Sequence, residues 1–97
     1  MPGYVLLLKY TQQGLANMKA VPERHQVNKA AAEEMGIRSV GTWWTMGAYD
    51  AVAVVDAPDD QTVTAFVLAL ARAGNATTQT MRAFSEEEFA QIVSKLQ

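Results

Sequence analysis

Residues 43–60 read WWTMGAYDAVAVVDAPDD, and this stretch decides the fold. Aromatic and β-branched residues on either side of Gly47 indicate two strands joined by a tight turn. The run from Ala51 to Val55 is apolar at every position, so the second strand is predicted to be buried on both faces. Pro58 ends that strand, and Asp59 or Asp60 provides the N-cap of a helix. The stretch therefore predicts a β-hairpin followed directly by a helix.

The rest of the chain extends this pattern into a complete small domain. Strands are predicted at residues 3–11, 37–46, 49–57 and 75–84, and helices at 22–35, from 59 or 60 to 74, and after Ser85. The first and third strands carry apolar runs on both faces, which favours central positions, whereas the threonines of the fourth favour an edge. Right-handed crossovers place the two main helices on one sheet face. The order predicts an α+β, ferredoxin-like β-α-β-β-α-β domain with an extra C-terminal helix.

Length and composition narrow the class of protein. Ninety-seven residues make a single domain, residues 1–97. The net charge is −2 and the basic residues are scattered, so a nucleic-acid partner is not expected. The chain has no cysteine and no apolar run long enough to span a membrane. We therefore expect a soluble, cytoplasmic protein without disulfides, metal or cofactor.

One face of the predicted sheet has no helix to cover it. Four strands of about seven residues give a face of roughly 450 Å². One of the two adjacent tryptophans, Trp43 or Trp44, must lie on it, because neighbouring side chains on a strand point to opposite faces. Such an apolar patch is at the upper limit of what a monomer exposes. The pattern predicts a homodimer that pairs sheet against sheet, and larger homo-oligomers remain open.

Aromatic residues near one carboxylate form the candidate ligand site: Tyr4, Trp43, Trp44, Tyr49 and Asp50. A largely apolar pocket with few polar groups is the usual form of a small-molecule site. Each of these residues also has a structural interpretation. The tryptophans can fill the core and the dimer seam, and Asp50 can anchor the turn through backbone hydrogen bonds.

His25 and Asp50 are the only candidates for acid–base catalysis. His25, the single histidine, lies at the start of the first predicted helix and needs a partner from elsewhere in the chain to act as a base. The alternative is a histidine that simply faces solvent. A metal site is not predicted, because no second histidine or cysteine accompanies His25.

Residues 46–50, MGAYD, followed by 57–60, APDD, resemble the signature of the GYD-domain family, which is named after a glycine, a tyrosine and an aspartate in this region. The resemblance extends to residues 4–8, 22–24 and 82–89, and so covers nearly the whole chain. It implies similarity to dimeric α+β barrel proteins, which pair through their sheets. The family has no settled activity, so the resemblance assigns no catalytic residue.

Three functions follow from these patterns. The first is a homo-oligomeric module that binds a small ligand between sheet and helices or at a subunit interface. The second is a structural or assembly protein without a ligand. The third is a cofactor-free oxygenase or isomerase that uses His25 and Asp50 in an apolar cavity. The fold alone does not separate them.

Overall fold

A computed structural model describes residues 1–97 as an α+β domain with four strands and four α-helices. The strands are β1 (Gly3–Tyr10), β2 (Arg38–Trp44), β3 (Ala51–Asp56) and β4 (Ala76–Ala83). The helices are α1 (Gln12–Ala16), α2 (Val21–Glu34), α3 (Asp60–Ala73) and α4 (Glu86–Val93), with a 3₁₀ turn at Met18–Ala20. The predicted α+β class and four-stranded antiparallel sheet are confirmed.

The strands are arranged in the order β2-β3-β1-β4, so β1 and β3 are central. Val5 lies opposite Val54 on one side and Met81 on the other, while Leu7 lies opposite Val52. Residues directly opposite each other share a face. The face away from the helices, called here the open face, consists of Val5, Leu7, Trp43, Val52, Val54 and Met81.

The hydrophobic core lies on the other face, under α2 and α3. Its sheet residues alternate with those of the open face, as in Tyr4 and Leu6 of β1, and Phe66 of α3 packs over them. Ala32 of α2 and Ile37 complete the contact at one end. The core is thin: twelve of the 97 residues are buried, so substantial apolar surface stays accessible in a single chain.

The connection between β2 and β3 is longer than the predicted tight turn. The strands stop at Trp44 and restart at Ala51, leaving residues 45–50 as a loop. The backbone N–H of Thr45 donates to the carbonyl of Asp50, and the Thr45 hydroxyl donates to the carbonyl of Tyr49. Gly47 supplies the positive φ of 112° that the loop requires. The prediction that the strands reach residues 46 and 49 was therefore wrong.

The predicted inner stripe of α2 is not packed. Val27 is 64% exposed, and Ala30, Ala31 and Met35 are also exposed. Only Val21 and Ala32 of this helix are buried. Ala32 is thus the residue of α2 that joins the core, and the cavity described below lies between this helix and the sheet.

Charged caps hold the N-termini of α3 and α4. Asp59 accepts the backbone N–H of Thr62, and Ser85 and Glu88 form a reciprocal capping box. Hydrogen bonds from the side chain and backbone N–H of Thr62 lower the pKa of Asp59, and those from Ser85 lower the pKa of Glu88. Asp59 is thus the cap, out of the two predicted aspartates, and the predicted capping box is confirmed.

Because the pKa values of Asp59 and Glu88 are lowered, the protein should become less stable as the pH falls. A depressed folded pKa stabilises the protein above the unfolded value of about 4, and the stabilisation is lost as pH falls through the folded pKa. We expect the melting temperature to drop below pH ~4, and Asp59→Asn, which keeps the cap but cannot titrate, to flatten part of that drop. Thermal melts monitored by circular dichroism test this. An identical acid profile in Asp59→Asn would contradict it.

The C-terminal helix α4 projects from the domain with an apolar stripe uncovered. Its residues Phe89, Ile92 and Val93 are 57%, 40% and 45% exposed, and none of its residues is buried. Phe84, immediately before the helix, is 50% exposed. A stripe at this spacing on a helix is a contact surface that the single chain does not use.

No helix of the protein could cross a membrane. The longest, α2 and α3, have 14 residues each, whereas a span needs about 20.

Candidate functional site

A cavity of about 550 Å³ lies between the inner sheet face and α2. It is called here the helix–sheet cavity. Leu6 and Leu8 of β1 and Ala53 of β3 form its floor, and Val27 and Met35 of α2 form its roof. Nineteen of its 27 lining residues are hydrophobic. The volume falls in the range typical of small-molecule sites, about 300–1,000 Å³.

Unfilled apolar space of this size is unusual, because protein interiors pack as densely as organic crystals. Ala51 and Ala53 on β3 and Ala31 on α2 have small side chains, so they leave space unfilled between the strand and the helix. Larger side chains at these positions would occupy the space. The sequence thus builds a cavity at the place where a domain of this size would be expected to have its core.

Polar groups gather at the end of the cavity formed by Tyr10, Trp44 and His25. The Trp44 indole N–H donates to the Tyr10 hydroxyl, with 2.8 Å between nitrogen and oxygen. The His25 ring packs against Trp44 edge to face, at a centroid distance of 5.2 Å and an angle of 80°. These three side chains come from β1, β2 and α2, so their meeting depends on the fold as a whole.

Asp50 does not line the cavity. Its carboxylate accepts the backbone N–H of Tyr10 at 2.8 Å, and its own backbone N–H donates to the carbonyl of Leu8 at 2.8 Å. These bonds extend the pairing of β3 with β1 past the end of the regular ladder. Asp50 therefore anchors the loop to β1, rather than to the turn backbone alone.

We expect Asp50→Ala to destabilise the domain by about 1–3 kcal/mol, because it leaves the Tyr10 N–H without its acceptor in a partly buried position. Urea denaturation measures the change. Asp56→Ala, at the far end of the same strand, is the matched control, since Asp56 pairs there with the largely exposed Arg38, an ion pair worth about 0–1 kcal/mol. Equal losses in the two variants would contradict the anchoring role.

The other predicted ligand-binding residues lie outside the cavity. Tyr4 is buried in the core and donates its hydroxyl hydrogen bond to Asp60, and this bond, together with burial, raises the pKa of Tyr4. Trp43 lies on the open face, where its indole covers Gly41. Tyr49 bonds Gln79 on β4. Of the five predicted residues, Trp44 alone lines the cavity.

The two catalytic candidates, His25 and Asp50, lie in different surroundings. His25 lines the cavity, but it forms no ion pair with a carboxylate, since the ion pairs of the chain join Arg38 to Asp56 and Arg82 to Glu88. Asp50 is engaged by backbone groups outside the cavity. The structure therefore does not bring them together as an acid–base pair.

Tyr10 was not among the predicted site residues, although it shares a strand face with Tyr4, Leu6 and Leu8. Counting alternate residues along β1 would have placed it on the helix side. The sequence could not show the bond from Trp44, because it joins side chains on β2 and β1, which are separated in the sheet by β3.

Comparisons with known proteins place the chain in a family. The family model described as GYD domain matches residues 4–93, in agreement with the resemblance seen in the sequence. The chain is also 36% identical over 84 residues to a protein of Thermus thermophilus named "Glutamine synthetase and cystathionine beta-lyase binding protein". The match covers 86% of this chain and 88% of the relative. No solved structure shows significant similarity to the chain.

Proposed function

The chain belongs to the GYD-domain family, and on that premise we propose that it is a small homo-oligomeric protein that binds metabolic enzymes. The observation that carries this proposal is the Thermus thermophilus relative, whose name states that it binds glutamine synthetase and cystathionine β-lyase. The similarity extends over most of both chains, so the relative is matched as a whole protein.

The distribution of apolar surface supports a protein with more than one partner surface. The open face and the stripe of α4 belong to different elements, and both contain residues that are exposed in the single chain, such as Trp43 and Phe89. We assign the open face to a second copy of the chain. The domain is then ferredoxin-like and forms a dimeric α+β barrel, with the two sheets packed face to face.

The stripe of α4 is left for the enzyme partner in this arrangement. An amphipathic helix presents its apolar residues at the spacing of Phe89, Ile92 and Val93, which fits a hydrophobic groove on another protein. The capping box keeps the helix formed before it docks. Binding therefore does not require the helix to fold on its partner.

The test mixes the purified protein with the glutamine synthetase and the cystathionine β-lyase of the organism that encodes this chain. We expect the fluorescently labelled protein to co-sediment with at least one of them, and Phe89→Glu to lose this binding while keeping the mass of the homo-oligomer. Thr64→Glu, on the exposed side of α3, is the matched control and should bind normally. Absence of co-sedimentation with either enzyme at micromolar concentration would refute the proposed function.

A second function, binding of a small ligand, is supported by the helix–sheet cavity. Its volume and apolar lining suit a metabolite-sized molecule. The two functions are compatible, because the cavity and the stripe of α4 share no residue. The enzyme alternative has less support, since its two candidate residues do not meet at the cavity.

A further inference from the structure

The direction of one hydrogen bond restricts what the helix–sheet cavity can bind. The indole nitrogen of Trp44 is a donor only, so in its bond with Tyr10 the tyrosine oxygen must accept. The proton of the Tyr10 hydroxyl is therefore still available, and no protein group accepts it. A ligand that enters this end of the cavity meets a hydrogen-bond donor held in place by Trp44.

Charge at the cavity favours an acceptor that is also negative. Arg24 and Lys29 line it, against the single carboxylate of Glu23. The guanidinium of Arg24 donates to the carbonyl of Asn17 at 3.0 Å, which keeps it near the start of α2. Charge-assisted hydrogen bonds to a carboxylate are about twice as strong as neutral ones.

The remainder of the cavity is mainly apolar, although the side chains of Ser39, Thr42, Asn28 and Asn75 also line it. Between β1 and α2 the contacts are apolar, from Leu6, Leu8 and Ala53 below and from Val27 and Met35 above. Burying a polar group there without a partner is unfavourable by several kcal/mol in an apolar medium. A suitable ligand is therefore polar at one end and apolar along the rest of its length.

We propose that the helix–sheet cavity binds an apolar monocarboxylate, with the carboxylate accepting the Tyr10 hydroxyl proton beside His25 and Trp44. The alkyl or aryl body lies between β1 and α2, over Leu6 and Leu8. This assignment rests on the ligand-binding function proposed above and adds the chemical class of the ligand. Trp44 positions the tyrosine, and Tyr10 contacts the ligand.

The experiment titrates the protein with decanoate, decanol and decylamine, which share a tail and differ in the headgroup. Trp43→Phe leaves Trp44 as the only tryptophan, and its fluorescence reports binding. Should that variant not fold, the Trp44 indole N–H signal in the NMR spectrum of the wild-type chain provides the same readout. We expect saturable binding of decanoate, about tenfold tighter than of the amine, and a loss of about tenfold for decanoate in Tyr10→Phe. Tyr49→Phe, which removes a hydroxyl outside the cavity, is the matched control and should bind as the wild type does.

The outcomes separate the ligand class from the function it rests on. If the alcohol and the amine bind as well as the acid, and Tyr10→Phe changes nothing, the carboxylate assignment is overturned while ligand binding stands. If none of the three compounds gives a saturable response, both are overturned. If Tyr49→Phe loses affinity as strongly as Tyr10→Phe, the site lies elsewhere and the assignment to the cavity fails.

Discussion

Val54→Glu is expected to prevent formation of the proposed homodimer and leave a monomer. Val54 lies at the centre of the open face, opposite Val5 on β1 and Gly41 on β2. An uncompensated charge buried in such a contact opposes association by about 3–5 kcal/mol. A two-fold interface contains the same residue twice. The two carboxylates together should weaken association by roughly 6 kcal/mol or more, which is over ten-thousandfold.

Sedimentation velocity at micromolar concentration measures this effect. The control is Thr64→Glu, which adds the same charge at an exposed position of α3 and should associate as the wild type does. Trp43, which is 55% exposed in the single chain, gives an independent readout. Its quenching by acrylamide should rise in Val54→Glu. A wild-type protein that sediments as a monomer would exclude the sheet-to-sheet dimer altogether.

Gly14→Ala is expected to lower the free energy of unfolding by about 3 kcal/mol, at the upper end of the usual range for overpacking. A methyl group on Gly14 would overlap the carbonyl oxygen of Asn75 and lie 3.0 Å from its carbonyl carbon. That carbonyl accepts the backbone N–H of Thr11 at 3.0 Å. The clash is with backbone atoms, which cannot rotate away. The loss is a large share of a typical total stability of about 5–15 kcal/mol.

Chemical denaturation of the two glycine variants Gly14→Ala and Gly3→Ala tests this prediction. A methyl group on Gly3 meets the Ala83 carbonyl oxygen at 3.4 Å, an ordinary contact, so its stability should change little. Similar midpoints for Gly14→Ala and the wild type would mean that α1 and the Gly74–Asn75 corner are not held as closely as the structure indicates.

Much of the sheet was predictable because its signals are local. The apolar runs of β1 and β3 mark them as central strands, and the ends of α2 and α3 are marked by Gly36 and Gly74, both at positive φ. The loop at residues 45–50 was not predictable from Gly47 alone. Its length is decided by bonds from Asp50 to Leu8 and Tyr10, which are about forty positions away along the chain.

The helix–sheet cavity could not be predicted from the sequence. An aromatic stripe on a strand predicts a buried surface, but it does not tell a filled core from a cavity. That difference depends on the height at which α2 stands over the sheet, and on small residues such as Ala31 and Ala53. For the same reason Tyr4 and Tyr10, which share a face of β1, have different surroundings: one is in the core and the other at the polar end of the cavity.

The loop at residues 45–50 connects the two sides of the sheet. Asp50 holds the backbone of Tyr10, whose ring lines the cavity. Its neighbour Tyr49 holds Gln79, which lies opposite Leu7 in the strand pairing. Two consecutive residues of this loop thus bond to groups on the cavity side and on the open face of the sheet. Because both bonds leave one short loop, a change in the backbone of this loop would displace groups on both faces of the sheet.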